Sequence, residues 1–325
     1  MPECSVVIRT FNEEKHIAKL LVGIIEQSVK DLEIILVDSG STDATISIAS
    51  KFPINILHIE PSSFSFGRSL NLGCSAAQGE FLIFASAHVY PVFNDWLQHI
   101  LKPFKDSNVA LVYGKQRGGT TTDFSEHRIF SQWYPDDSVD NQQTPFCNNA
   151  NIAIRKSVWE KIKYNNDLTG LEDIEWAKRA QALGYSISYT ADAEVIHIHE
   201  ETSLQIFNRY KREGIANNFI FNDQTFSFFD LIKLWTANTI SDYIYALKKR
   251  RFLKNIVSIP LFRLLQFSGT YRGFKHPSSV TKALKNRLYY PNGFFTVKAS
   301  EPPSVKRQPI EYDNIIDLEK YEEDI

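Results

Sequence analysis

Cysteine is scarce in this chain of 325 residues: Cys4, Cys74 and Cys147 are odd in number and far apart. Such a set frames no disulfide scaffold and no cysteine zinc site, and it suits a reducing compartment. Long apolar runs are missing too, since no stretch approaches the roughly 20 residues that span a bilayer. The amino terminus carries no basic segment followed by an apolar core, because strand-like residues begin at Cys4, and this argues against a signal peptide. The formal net charge is only −2, so no global field draws the chain to nucleic acid. These absences predict a cytoplasmic protein, soluble or held at a membrane surface, with no nucleic-acid partner. They leave its oligomeric state open.

What is present is alternation. Cys4–Ile8 reads as a strand, Ile17, Leu20, Leu21, Ile24 and Ile25 share one helical face, and Glu33–Val37 reads as the next strand. A helix capped by Ser41, a strand over Ile54–Ile59 and a helix carrying Leu70, Cys74 and Ala77 and closed by Gly79 continue the series. Strand and helix in turn predict an α/β protein with a mainly parallel central sheet. At Phe81–Pro91 an apolar run breaks into small and polar residues before a proline. It is expected as a buried strand that delivers Ser86 and His88 to the carboxyl edge of the sheet, where ligands bind in open sheets.

Beyond Pro91 the pattern predicts a helix near Trp96–Phe104, a strand over Val109–Gly114, a mobile lid at Gly118–Thr122, a strand at Asn151–Ile154 and helices over Ser157–Lys163 and Asp173–Leu183. Val195–His199 reads as a strand with His197 and His199 on one face. From about Glu201 the chain turns helical, with short apolar segments at Phe226–Leu234 and Ile256–Leu265 flanking Lys248-Lys249-Arg250-Arg251. That composition fits either a surface helix docking on anionic lipid or a bundle packed on the first domain. The expected divisions are 1–205 for the α/β domain, 206–298 for a helical extension with possible peripheral membrane contact, and 299–325 for an acidic tail, disordered or loosely docked.

Several pieces carry chemistry. Arg9-Thr10-Phe11-Asn12-Glu13-Glu14 follows the first strand and opens a helix, whose free N–H groups favour phosphate while Phe11 offers a flat face to a base. Asn12 can equally be a plain helix cap. Asp38-Ser39-Gly40-Ser41-Thr42-Asp43 ends the second strand, where an acid can accept from a base or ribose.

Together with Phe66-Gly67-Arg68-Ser69-Leu70-Asn71-Leu72-Gly73, Gly79–Phe84, Asn148-Asn149-Ala150-Asn151 with Arg155, and Gly170–Arg179, these pieces resemble glycosyltransferase family 2 in order and spacing. The resemblance implies an inverting, non-processive nucleotide-sugar transferase with the GT-A fold. Thr10, Phe11, Glu14, Asp38, Arg68 and Ser86 would hold the nucleotide, and Asn71 and Gly73 would serve helix packing. Asp173 would be the base that takes the acceptor hydroxyl proton, with Glu172 orienting it. Asn148, Asn149 and Trp176 would meet acceptor or sugar, and Arg179 would pair with a nearby acid. The Gln-x-x-Arg-Trp motif of processive synthases is absent.

Most family members carry Asp-x-Asp where this chain has Ser86-Ala87-His88. Three readings follow: His88 with His197 or His199 ligates a divalent cation, manganese before magnesium because imidazole suits transition metals; or His88 with Arg9 or Arg68 balances the diphosphate without metal; or the site is silent. The first is preferred. The implied activity is transfer of one sugar from a nucleotide-diphosphate sugar to a saccharide or lipid-linked glycan in cell-envelope or exopolysaccharide assembly. The alternative is a catalytically silent nucleotide-sugar-binding or scaffold protein.

Overall fold

The computed structural model describes residues 2–276; the last residues assigned to the extension and the whole acidic tail lie outside them. Eight strands form one sheet: β1 (Cys4–Thr10), β2 (Leu32–Asp38), β3 (Asn55–His58), β4 (Phe81–Ser86), β5 (Val89–Pro91), β6 (Val109–Gly118), β7 (Asn151–Arg155) and β8 (Ser186–His197). Their spatial order is β3-β2-β1-β4-β7-β6-β8-β5. The half built from β1 to β4 is parallel. Beyond it β7 runs antiparallel to both β4 and β6, and β5 antiparallel to β8. β6 and β8 pair in parallel, so six of the eight strands share one direction and the sheet is mainly parallel, as expected, with β7 and β5 reversed. What periodicity cannot report is strand direction, which depends on the path of the connections.

The helices are α1 (Ile17–Ile25), α2 (Thr45–Ala49), α3 (Phe66–Ala76), α4 (Trp96–Leu101), α5 (Phe124–Trp133), α6 (Lys156–Lys161), α7 (Glu172–Ala182), α8 (Ser203–Ile220), α9 (Phe228–Lys248), α10 (Phe252–Asn255) and α11 (Ser258–Phe274). Two apolar clusters cover the sheet faces. One gathers Val7, Phe84, Tyr113 and Trp176, the other Ile8, Leu20, Leu36 and Trp96. β1 is buried along nearly its whole length, Val7 packing into one face cluster and Cys4, Val6 and Ile8 into the other, as an interior strand covered on both faces should be.

Two glycines fix close approaches. A Cβ on Gly73 would stand 2.3 Å from Val7 Cγ1, so α3 rests directly on β1. Asn71 stitches the same helix to α6 and the segment after it: its amide donates to the Tyr164 carbonyl at 2.8 Å, and its oxygen accepts from Trp159 Nε1 at 3.0 Å. Both residues thus have the packing role expected of them. Gly79 lies beyond the end of α3 and does not close it; a Cβ there would meet the Cys4 backbone at 2.5 Å. Ser41 does not cap α2 either, because the helix starts at Thr45 and the Ser41 hydroxyl accepts from the Asn12 N–H at 2.9 Å.

In the expected lid at Gly118–Thr122, the two glycines and Thr122 pack against the fold while Thr120 and Thr121 are exposed. Gly118 faces His127, Gly119 faces Ile198, and the Gly119 N–H donates to Thr122 Oγ1 at 3.0 Å. The extension is likewise an integral part of the fold. Thr202 and Gln205 form a capping box at the start of α8, and Gly214, Gly269 and Gly273 let α8 and α11 meet backbone to backbone. Arg263 on α11 is 2% exposed and ion-paired with Asp242 on α9 at 2.8 Å. Breaking such a pair from one side strands a buried charge.

Candidate active site

A cleft of about 1160 Å³ opens at the carboxyl ends of β1 and β4. One wall is made of two loops laced together. Asn12, in the left-handed region at φ 55°, accepts from the Thr42 N–H at 2.8 Å; Glu14 accepts from the Ala44 N–H at 2.9 Å and receives the Asp43 carboxylate on its own N–H at 3.1 Å. Short polar side chains tolerate that backbone conformation better than most. Phe11, Glu14 and Ser86 line the cleft.

Thr10, Asp38 and Arg68 do not line it. Thr10 is buried beneath the loop. Asp38 is 2% exposed and accepts from the Gly40 and Ser41 N–H groups, each at 3.1 Å, so it builds the turn whose outer residues face the cleft. Arg68 is exposed on α3, its guanidinium donating to the Ser63 carbonyl at 3.2 Å.

At the opposite side, Leu171 stands at φ 54° immediately before α7. This is a strained conformation for a branched residue, of the kind concentrated at functional sites. It presents Glu172 and Asp173 to the cleft. Glu172 takes Arg9 Nη1 at 3.1 Å and Asn149 Nδ2 at 3.1 Å. Asp173 accepts from the Asn149 N–H and the Ile174 N–H, both at 2.8 Å. Burial pushes Asp173 up, Glu172 beside it adds to this, and the two N–H groups and Arg9 only partly oppose it, leaving the carboxyl at about 7. Asn148 and Asn149 lie along the same edge.

Trp176 is elsewhere. Its side chain is fully buried and its indole N–H donates to the Ile162 carbonyl at 2.5 Å, so it is a core residue and cannot stack on a sugar. One turn of helix carries Asp173 into the cleft and Trp176 into the sheet packing. Arg179 pairs with Glu175 at 2.8 Å, as expected.

Between the two walls three histidines converge. His88 follows β4, His197 ends β8, and His199 follows it; one nitrogen from each lies within 4.8 Å of the others. His88 and His197 stack with centroids 5.1 Å apart. Each ring is held through Nδ1: His88 by Glu13 at 2.7 Å, His197 by the Gln116 amide oxygen at 2.8 Å and His199 by Glu126 at 2.7 Å. Acceptor oxygens there favour the proton on Nδ1, which leaves Nε2 lone pairs for the cleft. The Nε2 atoms of His197 and His199 face each other at 3.0 Å, a repulsive arrangement that a shared cation or proton relieves.

Burial works against charge on His88, but Glu13 outweighs it and the net shift is upward. His197 goes well below the ordinary imidazole range through burial, reinforced by the other two rings. Burial would raise Glu126, yet Arg209 and His199 hold it at about 2. The donor set, three imidazole nitrogens with carboxylate and amide oxygens behind them, fits a transition-metal ion.

Sequence reasoning missed the partners that orient these rings, Glu13, Gln116 and Glu126. It also missed the α8 wall, where Gln205, Arg209, Arg212 and Glu213 line the cleft. Their spacing puts all four on one helical face, a signal visible only once the helix is known to border the site. Arg9 and Arg212 lie on the Phe66 ring with centroid distances of 4.7 and 5.0 Å.

The profile of "Glycosyl transferase family 2" matches residues 5–163. An O-antigen chain rhamnosyltransferase of Salmonella anatum, WbaN, is 30% identical over 227 residues, covering 66% of this chain and 72% of that protein. A second, RfbN of Salmonella typhimurium, is 26% identical over 65% of this chain and 71% of its own length. Among solved structures, a mannosyltransferase of Pyrobaculum calidifontis in complex with GDP-Man and Mn²⁺ superposes with a TM-score of 0.56, covering 90% of this chain and 88% of that one at 17% identity. The shared fold is the GT-A fold. The chain belongs to glycosyl transferase family 2.

Proposed function

We propose that this glycosyltransferase moves one sugar from a nucleotide-diphosphate donor, with inversion, onto a saccharide or lipid-linked glycan in cell-envelope or exopolysaccharide assembly. The observation that carries the reading is Asp173: a buried carboxyl, raised to about 7 by burial and Glu172, facing the same cleft as the histidine triad. A base whose pKa lies near the working pH is well matched to proton abstraction. The O-antigen chain rhamnosyltransferases among its relatives support the acceptor class.

In this reading Phe11, Glu14 and Ser86 hold base and ribose, while Thr10 and Asp38 keep the loop in shape. Arg68, exposed on α3 and outside the cleft lining, is left to long-range attraction of the donor. The acceptor oxygen bonds to the anomeric carbon as its proton passes to Asp173, the bond to the diphosphate breaks, and the electron pair leaves with the diphosphate. Glu172, fixed by Arg9 and Asn149, orients the base; Asn148 and Asn149 meet acceptor hydroxyls. His88, His197 and His199 would hold a divalent ion, manganese in preference to magnesium, which when bound supplies positive charge to the diphosphate.

The protein is proposed to work at the inner face of a membrane. No helix among the described residues is long and apolar enough to cross one, but Phe229 and Leu253 are each 84% exposed and Val257 71%. A thermal-shift panel of nucleotide sugars, with and without manganese, tests the reading, because ligands specific to the folded form raise its midpoint. Stabilisation by at least one donor, followed by transfer in a coupled assay, is the expected result; no stabilisation by any donor would overturn it.

A further inference from the structure

A second cavity, of about 710 Å³, lies between β6, α5 and the end of α9. Four cationic side chains line it, Lys115, Arg117, Lys249 and Arg251, against the single carboxylate of Asp136. Lys115 is ion-paired with Asp136 and reaches Glu194 at 3.9 Å, while Arg117 binds Glu194 at 2.6 Å. Lys249 and Arg251 have no carboxylate within ion-pairing distance among the described residues; Lys249 lies only against the Tyr245 ring. The chain reaches this position by a turn at Arg250, in the left-handed region at φ 56°, with the Arg251 N–H donating back to the Ala246 carbonyl at 2.8 Å.

Two relationships indicate what would fill it. Gln116, Phe130 and Tyr134 line both this cavity and the catalytic cleft, and Gln116 holds His197, so an occupant sits one side chain away from the triad. On the other side, Leu247, Leu253 and Val257 are 59%, 84% and 71% exposed and alternate with Lys248, Lys249, Arg251 and Lys254. Apolar residues interleaved with cations suit the headgroup level of an anionic bilayer.

We propose that this cavity takes the phosphate headgroup of a bilayer lipid, phosphomonoester or diphosphate, and that through it a membrane-anchored acceptor is held beside the cleft. This rests on the transferase reading. It adds a site to it. Unpaired cations over a partly enclosed cavity favour a dianionic group above the monoanionic diesters of bulk lipid.

The test compares two double variants of the full chain with the same loss of charge: K249A/R251A, which empties the cavity wall, and K248A/K254A, from the same segment outside it. Co-sedimentation uses phosphatidylcholine vesicles doped with either phosphatidic acid or phosphatidylglycerol at matched surface charge. Both variants should lose roughly thirtyfold on phosphatidylglycerol, where only two surface cations count. On phosphatidic acid, K249A/R251A should lose about tenfold more than K248A/K254A. Equal losses on both lipids would overturn the site, and so would binding satisfied by free inorganic pyrophosphate with no vesicle association. Thermal shift with nucleoside diphosphates on the same proteins should be unchanged by either variant. Its absence from the unaltered chain would remove the transferase reading while leaving the vesicle result standing.

Discussion

His197 and His199 bring their Nε2 atoms to 3.0 Å while each Nδ1 is held by an oxygen behind it, Gln116 for one and Glu126 for the other. Two residues apart at the end of β8, the rings are held apart from solvent-side alternatives by Phe130, whose ring centre lies 5.8 Å from both. The geometry prepares the nitrogens before any ligand arrives.

Manganese affinity is the first consequence. His197→Ala should abolish specific manganese binding in a calorimetric titration, and Glu13→Gln, which loosens His88 from behind, should lower it by about 10- to 100-fold, the usual effect of an outer partner. Unchanged affinity in His197→Ala would show that the triad is not a metal site.

Asp173→Asn should reduce transfer by at least roughly 10² to 10⁴, the usual contribution of a positioned base. Donor binding should persist, because Asp173 contacts the Asn149 and Ile174 backbone and not the donor loops. Full activity in this variant, measured by product formation at saturating donor, would refute the assignment.

The pH dependence has a definite sign. Asp173 must be ionised to act, and its pKa is raised to about 7, so kcat/KM should fall as pH drops through about 7. Glu172 is a cause of that elevation; Glu172→Gln removes the like charge and should move the acid limb to lower pH. In stability the same elevation means that the protonated carboxyl favours the fold. That contribution is fully present below the ordinary aspartate range and is lost as pH rises through about 7. A limb that stays in place, or moves upward, in Glu172→Gln would contradict the coupling.

Removal of Asp242 leaves Arg263 buried and unpaired at the junction of α9, α11 and α5, where its other contacts are Gln266 and the Ser125 carbonyl. Asp242→Ala should cost about 3–5 kcal/mol. Chemical denaturation monitored by far-ultraviolet circular dichroism would check this. A loss below about 1 kcal/mol would mean that the extension does not depend on the pair.

Much of the α/β half was legible because its signals are local. The apolar runs at Cys4–Ile8, Glu33–Val37 and the start of Phe81–Pro91 survive as β1, β2 and β4, and the acidic pair Glu172-Asp173 and the three histidines do meet in one cleft. Trp176 shows where local signals stop. It follows Asp173 by three residues, yet the helix turns it into the core, and only the packing partner of each face decides which way that is. Arg68 and Asp38 fail to reach the cleft for a related reason: a motif names a residue but not the hydrogen bond that claims its side chain.

The sequence by itself determined the alternation of elements, the order of the family's pieces and the replacement of two carboxylates by Ser86 and His88, all of which are properties of neighbours along the chain. Tertiary structure alone decided that the α8 face completes the cleft, that Glu13, Gln116 and Glu126 orient the histidines across 75, 81 and 73 residues of chain, and that a basic cavity opens behind them. Those are convergences of distant segments. They are fixed by the register of the sheet and by the close approach that Gly214, Gly269 and Gly273 permit between α8 and α11, which no periodicity within one element encodes.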